Sequence, residues 1–429
     1  MKVNKISIKK VVTLLIITSP ILNIYKIGSL PLGGGDFALC LAILIFFFID
    51  KPQKLSIKIH SYNVFVMFLL FFLMSIMAIF VQGNFNISDF VSKWSRIIVY
   101  GITLLIVFIG GINLDYAKKY CVGLSIIFSL TVILQELLKL IGINVFPYLN
   151  ILPLNYNVTN LELINVLNKR ASFGGWRVSS IFPEPAHFTQ YVLMGLAIVL
   201  FDKYEKNNMN NYLAKSIIIT IAIIISASTN GYVIGLCIWG VWFLNIYRKK
   251  LTIRTVLIST LFMSIVLILF FKTNALNNAL YRLSTINSFS EGATGSVRLL
   301  QGLYVFKQLS LREMLMGVGF GNVSYYLAIN SITTPFLSEI GNEYMNAFST
   351  VLVSSGIIGY ILFMCSWIKL SFTRKTALSK VSMLILTLLY CSSSIFYSST
   401  TILFLTFALS ESQNDNLKTC FNKLIWEKK

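Results

Sequence analysis

The chain has 429 residues, of which 56% are hydrophobic and only 12% charged, and its mean hydropathy is +0.76. Soluble domains carry about 25% charged residues, so this composition excludes an ordinary soluble fold and places the chain in a bilayer. The net charge of +20 invites a nucleic-acid reading, but the placement of the charges excludes it. Six cysteines (Cys40, Cys121, Cys237, Cys365, Cys391, Cys420) are scattered without a CxxC pair or metal spacing, so neither a disulfide framework nor a zinc site is indicated.

A spanning helix needs about 20 largely apolar residues. Residues 1–24 have the basic start and apolar run of a signal peptide, but further spans follow at once, so this is read as an uncleaved first helix. Candidate spans begin at Val11, Phe37, Val64, Ile97, Cys121, Phe188, Ser216, Gly231, Thr255, Ala347, Val381 and about Phe396. The pair over 216–247 is split by Ser228-Thr229-Asn230-Gly231, and the pair over 381–410 by Cys391-Ser392-Ser393-Ser394. Either pair can also be one broken helix. The expectation is about 12 transmembrane helices, with 10 or 11 as the alternatives, in a single integral membrane domain over 1–429.

Orientation follows Lys and Arg in the connecting segments. With both termini cytoplasmic, 24 of the 36 Lys and Arg residues fall inside. Topology therefore accounts for most of the positive charge. Two connecting segments, 142–187 and 272–346, fall outside and exceed the roughly 12–15 residues of ordinary loops. Both are rich in apolar and aromatic residues, including Tyr148, Phe173, Trp176, Tyr304, Phe320, Tyr325 and Tyr344. That composition predicts short amphipathic helices at the interface. The kind of cation differs by side. Six of nine arginines face out (Arg96, Arg170, Arg177, Arg282, Arg298, Arg312), against six of 27 lysines. A guanidinium binds phosphate oxygens bidentately and an ammonium does not, so an external phosphate-bearing ligand would explain the bias.

The first outer segment ends in Arg177-Val178-Ser179-Ser180-Ile181-Phe182-Pro183-Glu184-Pro185-Ala186-His187-Phe188. Pro183 and Pro185 keep it extended, and proline is favoured in the first turn of a helix. Glu184 is thus the expected N-cap of a helix running through Phe201. The free N–H groups of such an end attract anions. Arg177, Glu184 and His187 then meet where a helix enters water, although an ordinary capped helix has the same spacing. Glu136 and Lys139, one turn apart within a span, are expected to pair. The outer segments contain no DxD pair and the chain no G-x-S-x-G elbow. Gly317-Val318-Gly319-Phe320-Gly321-Asn322 lacks the strand–turn–helix context of a dinucleotide site.

Together these residues resemble the bacterial O-antigen polymerases of the Wzy type, within the O-antigen ligase/polymerase superfamily. Arg177, Ser179, Phe182, Glu184, Pro185 and Tyr191 are similar to an R-x-S-x-x-F-x-E-P stretch before a span. Arg298, followed by Gly317, Gly319, Gly321 and Asn322, looks like the family's arginine and G-x-G-x-G-N turn. Asn346, Gly356 and Gly359 are similar to its H-N…G-x-x-G pattern, although Met345 stands where ligases carry histidine. The resemblance implies an all-α polytopic membrane protein with a GT-C-like architecture and two large extracytoplasmic loops. It implies metal-independent glycosyl transfer at the outer face of the bacterial inner membrane, with no cofactor. Donor and acceptor would be undecaprenyl-diphosphate-linked glycans, with a chain-length-regulating membrane protein as a further partner and no nucleic acid. Arg177 and Arg298 would stabilise the leaving diphosphate, and Glu184 or His187 would serve as base, with Glu343 and Glu339 in reserve. Arg282, Asn322, Asn346, Tyr191, Trp176 and Tyr344 complete the expected binding set. An O-antigen ligase and a lipid-linked oligosaccharide flippase remain as alternatives.

Overall fold

The structure is a computed structural model, and it describes residues 5–27, 32–50, 59–82, 85–143, 177–202, 209–247, 294–335 and 341–410. Among these residues helix accounts for 79% and no strand forms. The helices, in chain order, are α1 (Lys5–Leu22), α2 (Gly34–Ile45, continued by a π-helical turn Phe46–Asp50), α3 (Ile59–Gln82), α4 (Ile87–Phe108), α5 (Leu114–Leu140), α6 (Pro185–Phe201), α7 (Met209–Ile225), α8 (Thr229–Tyr247), α9 (Thr294–Lys307), α10 (Leu311–Met316), α11 (Val323–Ile329), α12 (Ala347–Phe372), α13 (Ala377–Ser392) and α14 (Ser399–Ser410).

The helices α4, α5 and α12 are long and apolar enough to cross a membrane, and several shorter apolar helices accompany them. Ten of the twelve expected starts fall in helices; the one at about Phe396 lies three residues before α14, and the one at Thr255 lies outside the described residues. Both doubtful pairs are two helices each. Ala227 at φ +51 ends α7, and residues 393–398 separate α13 from α14. Two helices begin well before their apolar runs because asparagines cap them. Asn86 Oδ1 accepts from Ser88 N at 2.9 Å to start α4, and Asn113 Oδ1 accepts from Tyr116 N at 3.0 Å to start α5.

The chain divides into two compact units. One comprises Thr13–Ala38 and Asn113–Leu280. In it α6 is the central helix, packed on α5, α7 and α8, and nearly every one of its residues is buried. The layout of α5 explains why this chain needs lipid. Ile127, Leu130, Leu134 and Leu137 recur at helical spacing and are all about half exposed, while Ser125, Ser129 and Gln135 are buried. An apolar face turned outward and a polar face turned inward is the reverse of a soluble amphipathic helix. Gly195 of α6 lets the two helices close, since a Cβ there would strike Ser125 Oγ and Cβ. Near the start of α5, Lys118 pairs with Asp202 after α6 at 3.1 Å, both buried. The expected pair of Glu136 and Lys139 forms at 3.5 Å.

The other unit comprises Met1–Val12, Leu39–Ile112 and Tyr281–Lys429. Its centre is α12, which packs on α3, α9, α10 and α13. This helix is broken at Gly356, where φ is +64 and ψ −174. The break frees carbonyls, and the glycine-rich turn occupies them: Val318 N donates to Val353 O at 3.0 Å and Gly319 N to Ser354 O at 2.8 Å. Backbone polar groups inside a membrane must find partners within the protein, and here loop and helix break satisfy each other. Phe320 follows in the same turn. Its N–H donates to Ser75 Oγ at 2.9 Å, and its ring packs against Phe71, Phe396 and Tyr397 at 5.0–5.5 Å between centroids. The glycines of the motif thus hold a backbone seam together.

Candidate functional site

The residues singled out in the sequence fall into two groups, one in each unit. Trp176, Arg282 and Glu339 lie outside the described residues.

The first group surrounds the entrance of α6. Pro185 opens that helix and Glu184 occupies the N-cap position in extended backbone (φ −138, ψ 149), as the two prolines require. The Glu184 side chain makes no cap hydrogen bond. Glu184 is half-buried and His187, one turn on, is exposed. Arg177 is half-buried, and its Nη1 donates to Ala227 O at 2.9 Å, the residue that ends α7. A second tie joins the same elements: Thr189 Oγ1 lies 3.1 Å from Ser228 Oγ. The break between α7 and α8 therefore meets the arginine segment and the start of α6. Ser179 Oγ donates to Phe182 O at 2.7 Å, which tightens the turn between them. Phe182 is wedged against Phe128 and Tyr191 at 5.3 and 6.0 Å. Tyr191 is fully buried, with its hydroxyl donating to Ile17 O at 3.3 Å. Its place is in the wall behind the segment, not on an accessible surface.

The second group surrounds the entrance of α12. Asn346 caps this helix, its Oδ1 accepting from Ser349 N at 2.8 Å. The Nδ2 of the same side chain donates to Arg298 O at 2.8 Å. One carboxamide thereby fixes both the helix start and the backbone that carries the arginine. Close packing helps, because Gly302, one turn after Arg298, sits against Ser349 where a Cβ would collide with its side chain. Gln301 also bonds to Thr334, tying α9 to the chain beyond α11. Glu343 pairs with Lys93 of α4, whose Nζ lies 2.5 Å from both carboxylate oxygens and 5.9 Å from the centre of the Tyr397 ring. Trp94 Nε1 donates to Phe320 O at 3.2 Å beside it. Tyr344 is 40% exposed, so its ring is available for stacking. Asn322 is buried and its Nδ2 donates to Val318 O at 3.2 Å, which places it within the glycine turn. Met345 is buried in an apolar cluster with Val305, Leu309, Val318, Val323, Leu327 and Val353. At this position a methionine fills a core, and a base would have no access to water.

Outside the spans, α10 is secured by a charged capping box. Burial works to raise the Glu313 carboxyl, but hydrogen bonds from Tyr326, Ser310 and Gln82 outweigh it and hold the group below the usual range. Burial, followed by the Glu313 charge, pushes the Tyr326 hydroxyl up.

Sequence reasoning missed Lys93 and Gln135. Nothing local in the sequence links Lys93 to Glu343, 250 positions away. Gln135 is a buried carboxamide near the end of α5, where Oε1 accepts from Ser180 N at 2.8 Å and Nε2 donates to Ser180 O at 2.9 Å. Its signal was available, since an amide within an apolar run must find partners. Among the described residues no group of three or more His, Cys, Asp or Glu is placed to hold a metal ion. Comparison of the chain with family models, with curated proteins and with solved structures finds no match.

Proposed function

We propose that this chain is a membrane glycosyltransferase that polymerises undecaprenyl-diphosphate-linked oligosaccharide repeat units at the outer face of the cytoplasmic membrane. In this reading it has about 12 spans, cytoplasmic termini and a GT-C-like layout, and it is an O-antigen polymerase of the Wzy type. The observation that carries the reading is the construction at the two helix entrances. Each of the motif arginines, Arg177 and Arg298, sits on a segment held by hydrogen bonds to a neighbouring helix or helix end. Guanidinium groups carried on backbone held at helix entrances suit a diphosphate, and the outward bias of arginine over lysine has the same explanation.

The chemistry is a substitution at the anomeric carbon of the donor glycan. The bond from that carbon to the lipid diphosphate breaks, and a bond to an acceptor hydroxyl oxygen forms. The hydroxyl proton passes to Glu184 or His187 within hydrogen-bond reach. The negative charge that develops on the diphosphate needs a cation, for which Arg177 of one unit and Arg298 of the other are the candidates. Within the other unit, Glu343, paired with Lys93, and the exposed Tyr344 ring are the candidates for sugar binding. The buried Met345 argues against the ligase alternative, which would use a base at that position.

The test is glycan chain length in a strain lacking the protein. Single-repeat products restored to long chains by the wild-type gene support polymerisation. Long chains left unattached would assign a ligase, and lipid-linked units trapped inside would assign a flippase. Either result would overturn the proposal.

A further inference from the structure

Gln135 is 4% exposed on a helix long and apolar enough to span the membrane. Polar side chains in such helices are expensive and tend to mark function. Both ends of its carboxamide go to one residue, accepting from Ser180 N and donating to Ser180 O at 2.8 and 2.9 Å. The pair acts as a strand partner would, on a segment that has none. It is needed because Ser180 sits at φ +57, a left-handed conformation that residues other than glycine rarely adopt. Such conformations persist only where their surroundings enforce them, and they cluster at functional sites. Ser180 Oγ is buried and makes no hydrogen bond among the described residues, so the serine hydroxyl does not hold the turn.

The described residues include three non-glycine residues with positive φ, namely Ser180, Ala227 and Ser331. Arg177 connects two of them. It lies three residues before Ser180, and its guanidinium binds the carbonyl of Ala227. On the other side of Ser180, the turn closes through Phe182 N to Ser179 O at 3.0 Å and delivers the chain to Glu184. The orientation of Arg177 and of Glu184 therefore depends on one enforced backbone conformation, and Gln135 enforces it.

We propose that Gln135 is a positioning residue: from α5 it clamps the Ser180 peptide, and so sets Arg177 and Glu184 for the transfer reaction without touching the substrate. This rests on the glycosyl-transfer reading above.

The experiment pairs an activity measurement with a physical one, on the full chain. Polymer output per unit of membrane-resident protein, read by radiolabelled sugar incorporation so that the low residual output of Arg177→Lys is still quantified, is compared for wild type, Gln135→Glu and Gln135→Leu, in the native Arg177 and in an Arg177→Lys background. Hydrogen exchange of the peptide covering residues 177–184 is followed by mass spectrometry on the same purified proteins. Gln135→Leu keeps the volume and removes both bonds, so output is expected to fall on the order of tenfold. Gln135→Glu keeps the acceptor for Ser180 N–H and loses the donor, and should fall between the two. In Arg177→Lys, Gln135→Leu should lose less than about twofold more, because both changes disable one device. Exchange across 177–184 should speed up in Gln135→Leu.

Equal losses in both backgrounds would make Gln135 a general structural tie and overturn the proposal. So would unchanged exchange, since the clamp would then not exist in solution. If the deletion strain keeps its long glycan, the transfer reading fails and the positioning role falls with it. Exchange would still report the clamp, so the two failures are told apart.

Discussion

The seam between the glycine turn and the broken helix can be tested by adding one methyl group. In Gly317→Ala the new Cβ would lie 2.5 Å from Gly356 N and press on Ser354 O, all backbone atoms that cannot rotate away. The site also has φ +81, where an L-residue costs about 1–2 kcal/mol. Overpacking a tight interior adds about 1–3 kcal/mol. The total, about 2–5 kcal/mol, is a large fraction of the roughly 5–15 kcal/mol that holds a typical protein folded. At about 2–4 °C per kcal/mol for a unit of this size, the unfolding midpoint should drop on the order of 10 °C. Intrinsic tryptophan fluorescence of the detergent-solubilised protein on heating reads this directly. Gly101→Ala is the control: it is helical with nothing within 4 Å of its Cβ position. There alanine should be neutral or stabilise by about 0.5–1 kcal/mol. If Gly317→Ala and Gly101→Ala melt together, the seam is not a feature of the folded protein.

Three further outcomes follow from the two helix entrances and the charge pattern. Arg177→Ala and Arg298→Ala should each abolish long-chain glycan with normal protein levels, and Arg177→Lys should restore little, because a point charge does not replace the guanidinium fork; wild-type chain lengths in Arg298→Ala would remove that residue from the site. Glu184→Gln and Glu184→Asp should both accumulate normally yet yield little long-chain product, since the carboxylate makes no cap bond whose loss would explain the defect; normal chain lengths in Glu184→Gln would pass the base role to His187 or the second outer segment. Cysteines introduced at Asn157 and Ser331 should react with a membrane-impermeant thiol reagent applied from outside, whereas protection of both would reverse the topology.

Much of the helical layout was legible because membrane helices announce themselves locally. Twenty apolar residues need no knowledge of the rest of the fold, and the Pro183-Glu184-Pro185 pattern placed the start of α6 at the residue where it occurs. The early starts of α4 and α5 were not read, because their first turns are polar and the asparagine caps lie several residues before any apolar run. The motif residues were recognised, but their roles divided in ways that spacing does not reveal. Glu343 and Tyr344 are partly accessible, whereas Asn322 and Tyr191 are buried in walls. What joins Gln135 to Ser180, or Lys93 to Glu343, is contact across long stretches of sequence, and a single sequence carries no record of such pairs.

The seam at Gly356 also has a consequence for assembly. Lipid offers no water to satisfy the freed carbonyls of Val353 and Ser354, and no hydrophobic drive to pull a loop onto a helix. The glycine turn is synthesised before α12, so its N–H groups wait for acceptors that do not yet exist. A fully formed seam thus requires the helix to be formed, broken at Gly356 and met by the glycine turn. Docking of the glycine turn therefore completes only after α12 is in place, which makes it a late step of assembly.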